Sequence, residues 1–296
     1  MIDGVPWAWE ASGAGPAVCF FHGTLGSRAM WDSAVSELAG RYRCIAVDWP
    51  GHGRSGFNPA GWTVEDLVRG VPPLLADAGV KRAVFVGLSQ GAAISLRVAL
   101  SRPDLVAGLV TVGAGPDGPA ADVAAGLARL GAELAAADEP GRRARLAEIQ
   151  DGYHAPGWAR RASRAAEREL AVMSSHAPSA YPLLTRIPGQ YGTVEDALPG
   201  IACPALVVWG AHDPRAFWGP RMVQLMPAAR LAVIDDAGHH APADAPGEFN
   251  RVLVNFLDQL TLPLEPAWSV TSSSPARRRA SAPPANRRAS CGPATC

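Results

Sequence analysis

The amino-acid sequence predicts an α/β fold in which a mostly parallel central sheet is flanked by helices. Six short apolar runs recur along the chain, with helix-like segments between most of them, at residues 17–23, 44–51, 83–87, 109–115, 205–210 and 231–236. Their hydrophobicity is continuous rather than alternating, which is typical of strands that are covered on both faces. A chain of 296 residues with 48% hydrophobic residues is long enough to bury such a sheet.

The strand pattern stops between residues 116 and 200, where Ala and Arg are abundant and apolar residues recur at helical spacing. We expect this segment to be a helical lid inserted into a core formed by residues 1–115 and 201–262. Acidic residues accompany its many arginines, which favours a solvated helix face over a carboxylate-binding role for most of them. Residues 263–296 carry almost no large apolar side chain, so we expect a disordered tail rich in Pro, Ser and Arg.

Composition narrows the classes of function. The chain has 27 basic and 27 acidic residues, so its overall charge does not favour nucleic-acid binding. It has no apolar run of membrane-spanning length and no signal-peptide pattern, so no membrane association is expected. The five cysteines have no C-x-x-C spacing and no disulfide framework, which favours a reducing cytoplasm.

No cofactor or metal site is expected from the pattern of titratable residues. His22, His52 and His212 fall in different loops and lack the spacing of metal ligands. The only partner that the sequence predicts is a small-molecule substrate. The oligomeric state is left open.

Ser89 lies in the segment "VGLSQGAA", where a strand-like run changes to helical spacing. A strand that turns at once into a helix needs small neighbours, and Gly87, Gly91 and Ala92 meet that need. Such a turn raises the serine hydroxyl above the sheet, beside the positive end of the following helix. We interpret Ser89 as a nucleophile; the alternative is a chance match among small residues.

A serine nucleophile needs a base and a third group that holds the base in the right tautomer. His239 follows the last strand-like run, next to Gly238, and is the candidate base, with His240 as an exposed or packing neighbour. Asp213 follows the preceding run and is the candidate acid. Asp117, after the fourth run, is the alternative acid.

The oxyanion that forms on attack needs hydrogen-bond donors. The pair His22-Gly23 follows the first apolar run, and the next backbone N–H, that of Thr24, is a candidate donor. The N–H of Gln90, directly after the nucleophile, is the second. We expect His22 to brace this loop and not to act as a base.

Five segments together resemble the α/β-hydrolase superfamily, over residues 5–260: "HGTLGSRAMW", "AVDWPGHGRSG", "VGLSQGAA", "PALVVWGAHDP" and "IDDAGHHAPADAPGEFNRVLVNFL". The resemblance implies Ser89 as nucleophile, Asp213 as acid and His239 as base, with the Thr24 and Gln90 amides as the oxyanion hole. The residues that follow the His-Gly pair are similar to those of enol-lactone hydrolases, small esterases and related biosynthetic hydrolases.

The same resemblance implies that "DWPGHGRS" shapes a structural turn, so His52 is expected to have no catalytic role. We expect a cofactor-free serine hydrolase that cleaves a carboxylic ester or lactone through an acyl-enzyme. Two alternatives stay open. The same triad can serve an acyltransferase, lyase or cyclase of secondary metabolism, or the scaffold can act as a non-catalytic ligand-binding receptor.

Overall fold

The computed structural model describes residues 4–262, so the expected tail at 263–296 lies outside the described residues. Its centre is a sheet of seven strands in the order β1-β3-β2-β4-β5-β6-β7. The strands are β1 (Trp9–Ser12), β2 (Ala17–Phe21), β3 (Arg43–Val47), β4 (Ala83–Leu88), β5 (Val106–Val112), β6 (Ala205–Gly210) and β7 (Ala229–Ile234). All neighbours pair in parallel except β1, which is antiparallel to β3.

Helices cover both faces of the sheet. They are α1 (Asp32–Leu38), α2 (Val64–Asp77), α3 (Gln90–Ser101), α4 (Ala121–Ala136), α5 (Glu139–Tyr153), α6 (Trp158–Arg161), α7 (Ser163–Ser174), α8 (Tyr181–Thr185), α9 (Trp218–Leu225), α10 (Ala241–Asp244) and α11 (Pro246–Leu257). Alternate residues of β2 face opposite layers: Phe20 packs in the core with α1 and α11, whereas Phe21 packs in the core with α2, α3 and α9. This two-sided burial is the reason for the continuous hydrophobicity of the central strands.

The predicted fold class is confirmed, and each of the six apolar runs overlaps a strand. The sequence analysis missed β1, because this edge strand is only partly buried and has no continuous apolar run. The fourth strand begins at Val106 and ends at Val112, earlier than predicted. Gly113 ends it with a φ of +61°, a conformation that leaves the extended region.

Five α-helices, α4 to α8, lie between β5 and β6, where the sequence predicts a helical insertion. Its action as a lid stays a prediction. Exposed ion pairs such as Arg143 with Glu167 and Arg145 with Glu148 agree with the expected solvated helix face. Within residues 4–262, none of the helices is both long enough and apolar enough to cross a membrane.

Candidate active site

Ser89 occupies a strained turn between β4 and α3. Its backbone has φ 51° and ψ −111°, and Ser89 and Leu25 are the only non-glycine residues with positive φ between residues 4 and 262. Such conformations cost about 1–3 kcal/mol each and persist only where the surroundings impose them. A Cβ on Gly87 would collide with the backbone of Gly91, and one on Gly91 would collide with the carbonyl group of Phe21. The turn therefore needs glycine at both positions, as the sequence predicts.

Asp213 and His239 meet at the adjoining edge of the sheet. Asp213 follows β6 and is 3% exposed, and its Oδ2 lies 2.7 Å from Nδ1 of His239, which follows β7. Nδ1 therefore carries the proton that it donates to the carboxylate, and Nε2 keeps its lone pair. Asp117 instead forms an isolated backbone bridge with Thr193. The histidine is thus paired with Asp213 and not with the alternative acid.

Ser89 and His239 approach the same corner of the fold. The Ser89 N–H donates to the carbonyl oxygen of Val112 at 2.8 Å, and the next residue, Gly113, lies directly against the imidazole of His239. In the part of the chain that the structure describes, no hydrogen bond joins the Ser89 hydroxyl to the imidazole. Catalytic hydrogen bonds of this kind often form only when substrate is bound, so the catalytic roles of these residues remain predictions.

The protonation states of the pair suit a general base. The pKa of His239 is lowered to about 4, and burial is the largest cause. The hydrogen bond to Asp213 opposes this shift, whereas the charge of Arg215 adds to it. Burial opposes ionisation of Asp213, but the hydrogen bond from His239 and the charge of Arg215 outweigh it and lower that pKa to about 2. At neutral pH the imidazole is therefore uncharged and the carboxylate is ionised.

Arg215 is a site residue that the sequence analysis missed. Its Nη2 lies 2.6 Å from Nδ1 and 3.2 Å from Nε2 of His239, and 3.4 Å from Oδ2 of Asp213. Its side chain is 50% exposed, whereas that of Asp213 is buried. An arginine two residues after an aspartate resembles an ordinary surface turn. The sequence feature that could have identified Arg215 as a site residue is its place in a loop at the carboxyl end of a strand.

The two predicted oxyanion donors lie on neighbouring segments, Thr24 in a loop and Gln90 at the start of α3. The Thr24 hydroxyl donates to Oε1 of Gln90 at 3.1 Å, so the residue after the His-Gly pair is tied to the residue after the nucleophile. Gln90 is fully buried at the first position of α3. This contact ties the loop that carries Thr24 to the start of α3, the two segments on which the expected backbone donors lie.

Histidines hold the loop of residues 23–26, which we call the oxyanion loop. The Leu25 N–H donates to Nε2 of His52 at 3.2 Å, and Nε2 of His176 donates to the Leu25 carbonyl at 3.0 Å. Both backbone polar groups of Leu25, whose φ is +63°, are therefore bonded to histidine side chains. His22 donates through Nδ1 to the Gly23 carbonyl at 2.7 Å, and burial lowers its pKa to about 4, so it braces the loop as a neutral ring. His176, from the helical insertion, was missed.

A second cluster of titratable residues joins the helical insertion to the core. His154 lies between two carboxylates, with Nδ1 2.5 Å from Asp244 and Nε2 2.6 Å from Glu169. Nδ1 of His240 lies 2.6 Å from the other oxygen of Glu169. Of the two expectations for His240, exposure is wrong and packing is confirmed, because the residue is 6% exposed and its ring stacks on that of Tyr153 at 4.8 Å. Glu169 is one acidic residue of the insertion that does not lie on a solvated face, since it hydrogen-bonds to His240 in a largely buried cluster.

Charge pairing sets the ionisation of this cluster. Burial opposes a charge on His154, but hydrogen bonds to Asp244 and Glu169 outweigh it and raise the pKa of the imidazole. Burial likewise opposes ionisation of Glu169, yet His240 and His154 hold its pKa well below the usual range. His154, Glu169 and His240 also offer ligand atoms that all lie within 4.8 Å of one another, a set of residue types that can hold a metal ion.

A cavity of about 260 Å³ lies between the oxyanion loop and the helical insertion. Thr24 and Leu25 line one wall, Val172 and Met173 of α7 line another, and His240 lies at its edge. Apolar walls with a few polar groups are typical of a small-molecule site. Neither Ser89 nor His239 is among its lining residues, so this cavity adjoins the oxyanion loop and not the candidate nucleophile and base themselves.

Comparisons with known proteins identify the family of this chain. A family model described as "Alpha/beta hydrolase family" matches residues 20–252. A protein of Variovorax paradoxus (strain S110), named "Putative carbamate hydrolase RutD", is 30% identical over 272 residues, which cover 89% of this chain and 100% of that protein.

Two solved structures share the fold. A thermophilic esterase from Thermogutta terrifontis has a TM-score of 0.80 and 23% identity, over 86% of this chain and 94% of that one. The enol-lactonase from Burkholderia xenovorans LB400 has a TM-score of 0.78 and 22% identity, over 87% and 98%. Since the family model spans most of the sheet and the loops that carry the candidate site, this chain belongs to the alpha/beta hydrolase family.

Proposed function

We propose that the protein is a cofactor-free serine hydrolase that cleaves a carboxylic ester or lactone through an acyl-enzyme. The observation that carries the proposal is the 2.7 Å contact between His239 and the buried Asp213, at the corner where the strained Ser89 turn ends β4. A buried, ionised carboxylate that holds a neutral imidazole by Nδ1 leaves Nε2 able to accept a proton.

The reaction has two steps. The Ser89 oxygen attacks the acyl carbon while its proton passes to Nε2 of His239, and Asp213 stabilises the imidazolium that forms. The bond to the leaving oxygen then breaks, and that oxygen takes the proton from His239. Water attacks the acyl-serine by the same route, which releases the carboxylic acid and restores the hydroxyl. The backbone N–H groups of Thr24 and Gln90 donate to the oxyanion in both steps.

Replacing Ser89 by alanine tests the nucleophile. We expect kcat to fall by roughly 10⁶-fold and labelling by a fluorophosphonate probe to disappear. Ser95→Ala is the matched control, because the Ser95 hydroxyl is buried in α3 and has no hydrogen-bond partner among residues 4–262. Parent-level activity in the Ser89 variant would contradict the proposal. Labelling that persists there but is lost in the Ser95 variant would contradict it too.

A substrate panel tests the reaction class. Acyl esters, lactones and carbamates belong in it, the last because the Variovorax relative's name refers to a carbamate. We expect ester or lactone cleavage with one oxygen from ¹⁸O-labelled water in the acid product. Acid product without the label, or an acyl group passed to another acceptor, would favour transferase or lyase chemistry. Tight ligand binding without a serine adduct would favour a receptor.

A further inference from the structure

The helical insertion lies directly against the residues that carry the candidate base. We call residues 238–240 the base segment. The His240 N–H donates to the carbonyl oxygen of Tyr153, the last residue of α5, at 3.0 Å. A Cβ on Gly238 would lie 2.6 Å from the carbonyl carbon of His154, closer than side chains pack. The backbone of the insertion therefore touches the base segment on both sides of the candidate base.

The carboxylate of Asp244 connects these two pieces of backbone. Its Oδ2 accepts the N–H of Gly238 at 2.6 Å and the N–H of Ala155 at 2.9 Å, and its Oδ1 accepts Nδ1–H of His154 at 2.5 Å. The Asp244 N–H donates to the carbonyl oxygen of His240 at 3.0 Å. The side chain is 0% exposed. One fully buried side chain thus spans the base segment and ties it to the insertion.

The peptide that Asp244 holds directs the imidazole. The Gly238 N–H lies one residue before His239, so the orientation of this peptide sets the direction in which the histidine side chain leaves the backbone. On the core side, a Cβ on Gly210 would lie 2.2 Å from the Gly238 carbonyl oxygen, so the segment is confined there as well. The ring has to meet Asp213 at 2.7 Å, and catalytic groups need to be held within about 0.5 Å of their productive geometry.

We propose that Asp244 is a positioning residue of the proposed hydrolase, whose carboxylate ties the base segment to the helical insertion and so holds His239 within reach of Ser89. The inference rests on the proposed serine-hydrolase function and gives the insertion a part in the reaction besides any action as a lid. Asp244 acts through the backbone of the base segment and does not touch the reacting atoms. No covalent step is added to the reaction.

A simpler role for Asp244 is that of a counter-ion for His154, whose other ring nitrogen lies 2.6 Å from Glu169. The two roles differ in what an amide does at position 244. An asparagine oxygen can accept both backbone N–H groups, while its NH₂ group donates to Nδ1 of a neutral imidazole. Asparagine therefore keeps the hold on Gly238 and loses the ion pair. Alanine loses both.

The test compares Asp244→Ala with Asp244→Asn at a temperature at which circular dichroism shows both to be folded. The measured rate is that of a fluorophosphonate probe, in which the Ser89 oxygen bonds to phosphorus, fluoride leaves and His239 takes the serine proton. We expect alanine to lower this rate by roughly 10 to 100-fold, because the Gly238 N–H loses its acceptor and the ring shifts. Asparagine should restore most of the parent rate. The low-field proton resonance of the His239 Nδ1–H should move in the alanine variant and return in the asparagine variant.

Gly238→Ala tests the same contact without removing the carboxylate, and it decides the question if Asp244→Ala does not fold. The added Cβ would push the base segment away from the insertion, so we expect the rate to fall by about tenfold or more. Gly152→Ala is the matched control, since Gly152 lies in α5 and a Cβ there would meet nothing within 4 Å. Neither glycine has a positive φ, so neither change strains the backbone. The control should keep the parent rate.

Three results would overturn the inference. The first is an equal loss of rate in Asp244→Ala and Asp244→Asn, which the counter-ion role predicts. The others are a parent-level rate in folded Asp244→Ala and a parent-level rate in Gly238→Ala. Each of them leaves the serine adduct of the parent, and hence the proposed function, intact. If the probe does not label Ser89 in the parent, the proposed function fails, and this inference fails with it.

Discussion

Alanine at Gly113 tests how closely the fold confines the imidazole. A Cβ at this position would lie 2.6 Å from Nδ1 and 2.8 Å from Cε1 of His239, against about 3.4 Å for an ordinary contact, so the ring must retreat by about 0.8 Å. A displacement of that size in a catalytic group can cost about 10²-fold in rate, and we expect kcat/KM to fall by that factor. The positive φ of Gly113 adds backbone strain of about 1–2 kcal/mol.

Gly192→Ala separates the two effects. Gly192 has a φ of +56°, but a Cβ there would meet nothing within 4 Å. Both variants should lose about 1–2 kcal/mol in urea unfolding, and only Gly113→Ala should also lose activity toward an ester substrate. Parent-level kcat/KM in Gly113→Ala would refute the reasoning. An equal loss of activity in both variants would show that backbone strain, and not the contact with His239, is responsible.

Three further results are expected. Asp213→Asn should lower kcat by about 10⁴-fold, because an amide does not hold the Nδ1–H tautomer of His239; a loss below tenfold would contradict this role. A pH profile of kcat/KM should be half-maximal near pH 4 on its acidic side, where His239 protonates; a midpoint near the usual histidine value would show that burial does not act as described. Glu169→Gln should cost about 3 kcal/mol in urea unfolding, since it leaves His154 and His240 without their shared partner. The Glu169 carboxylate contributes its full stability above its unfolded pKa near 4.5, and the His154 imidazolium contributes its full stability below 6.5. The loss of unfolding free energy in Glu169→Gln should therefore be largest between these values and should shrink as pH rises through the raised pKa of His154. A loss that does not vary with pH would contradict the ion pair.

The fold and the nucleophile were predictable because their signals are local in the chain. Strands buried on both faces are apolar without interruption, so each central strand is recognisable in the sequence as a separate apolar run. The turn at Ser89 needs small residues two positions before and after it, and these stand beside it in the sequence. The edge strand β1 has no continuous apolar run, since neither of its faces is fully buried.

The buried cluster was not predictable, because its members are far apart and ordinary in composition. His154 and Asp244 are separated by 90 positions. Glu169 lies in a helix among many charged residues, and nothing in the sequence distinguishes it from the exposed Glu167. Burial alone makes the difference, since it depends on which face of α7 meets the core.

The sequence by itself determined six of the seven strands, the tight turn at Ser89 and the short list of partners in the loops that follow the strands. The tertiary structure alone decided which of those partners meet. Asp213 pairs with His239 because β6 lies beside β7 and their loops touch, with the His212 N–H bonded to the Ala237 carbonyl at 2.9 Å. Hydrogen bonds and close charges act over about 3 Å, a distance set by how chain segments pack and not by their separation in sequence. For the same reason, only the folded chain reveals that Arg215 lies against the base.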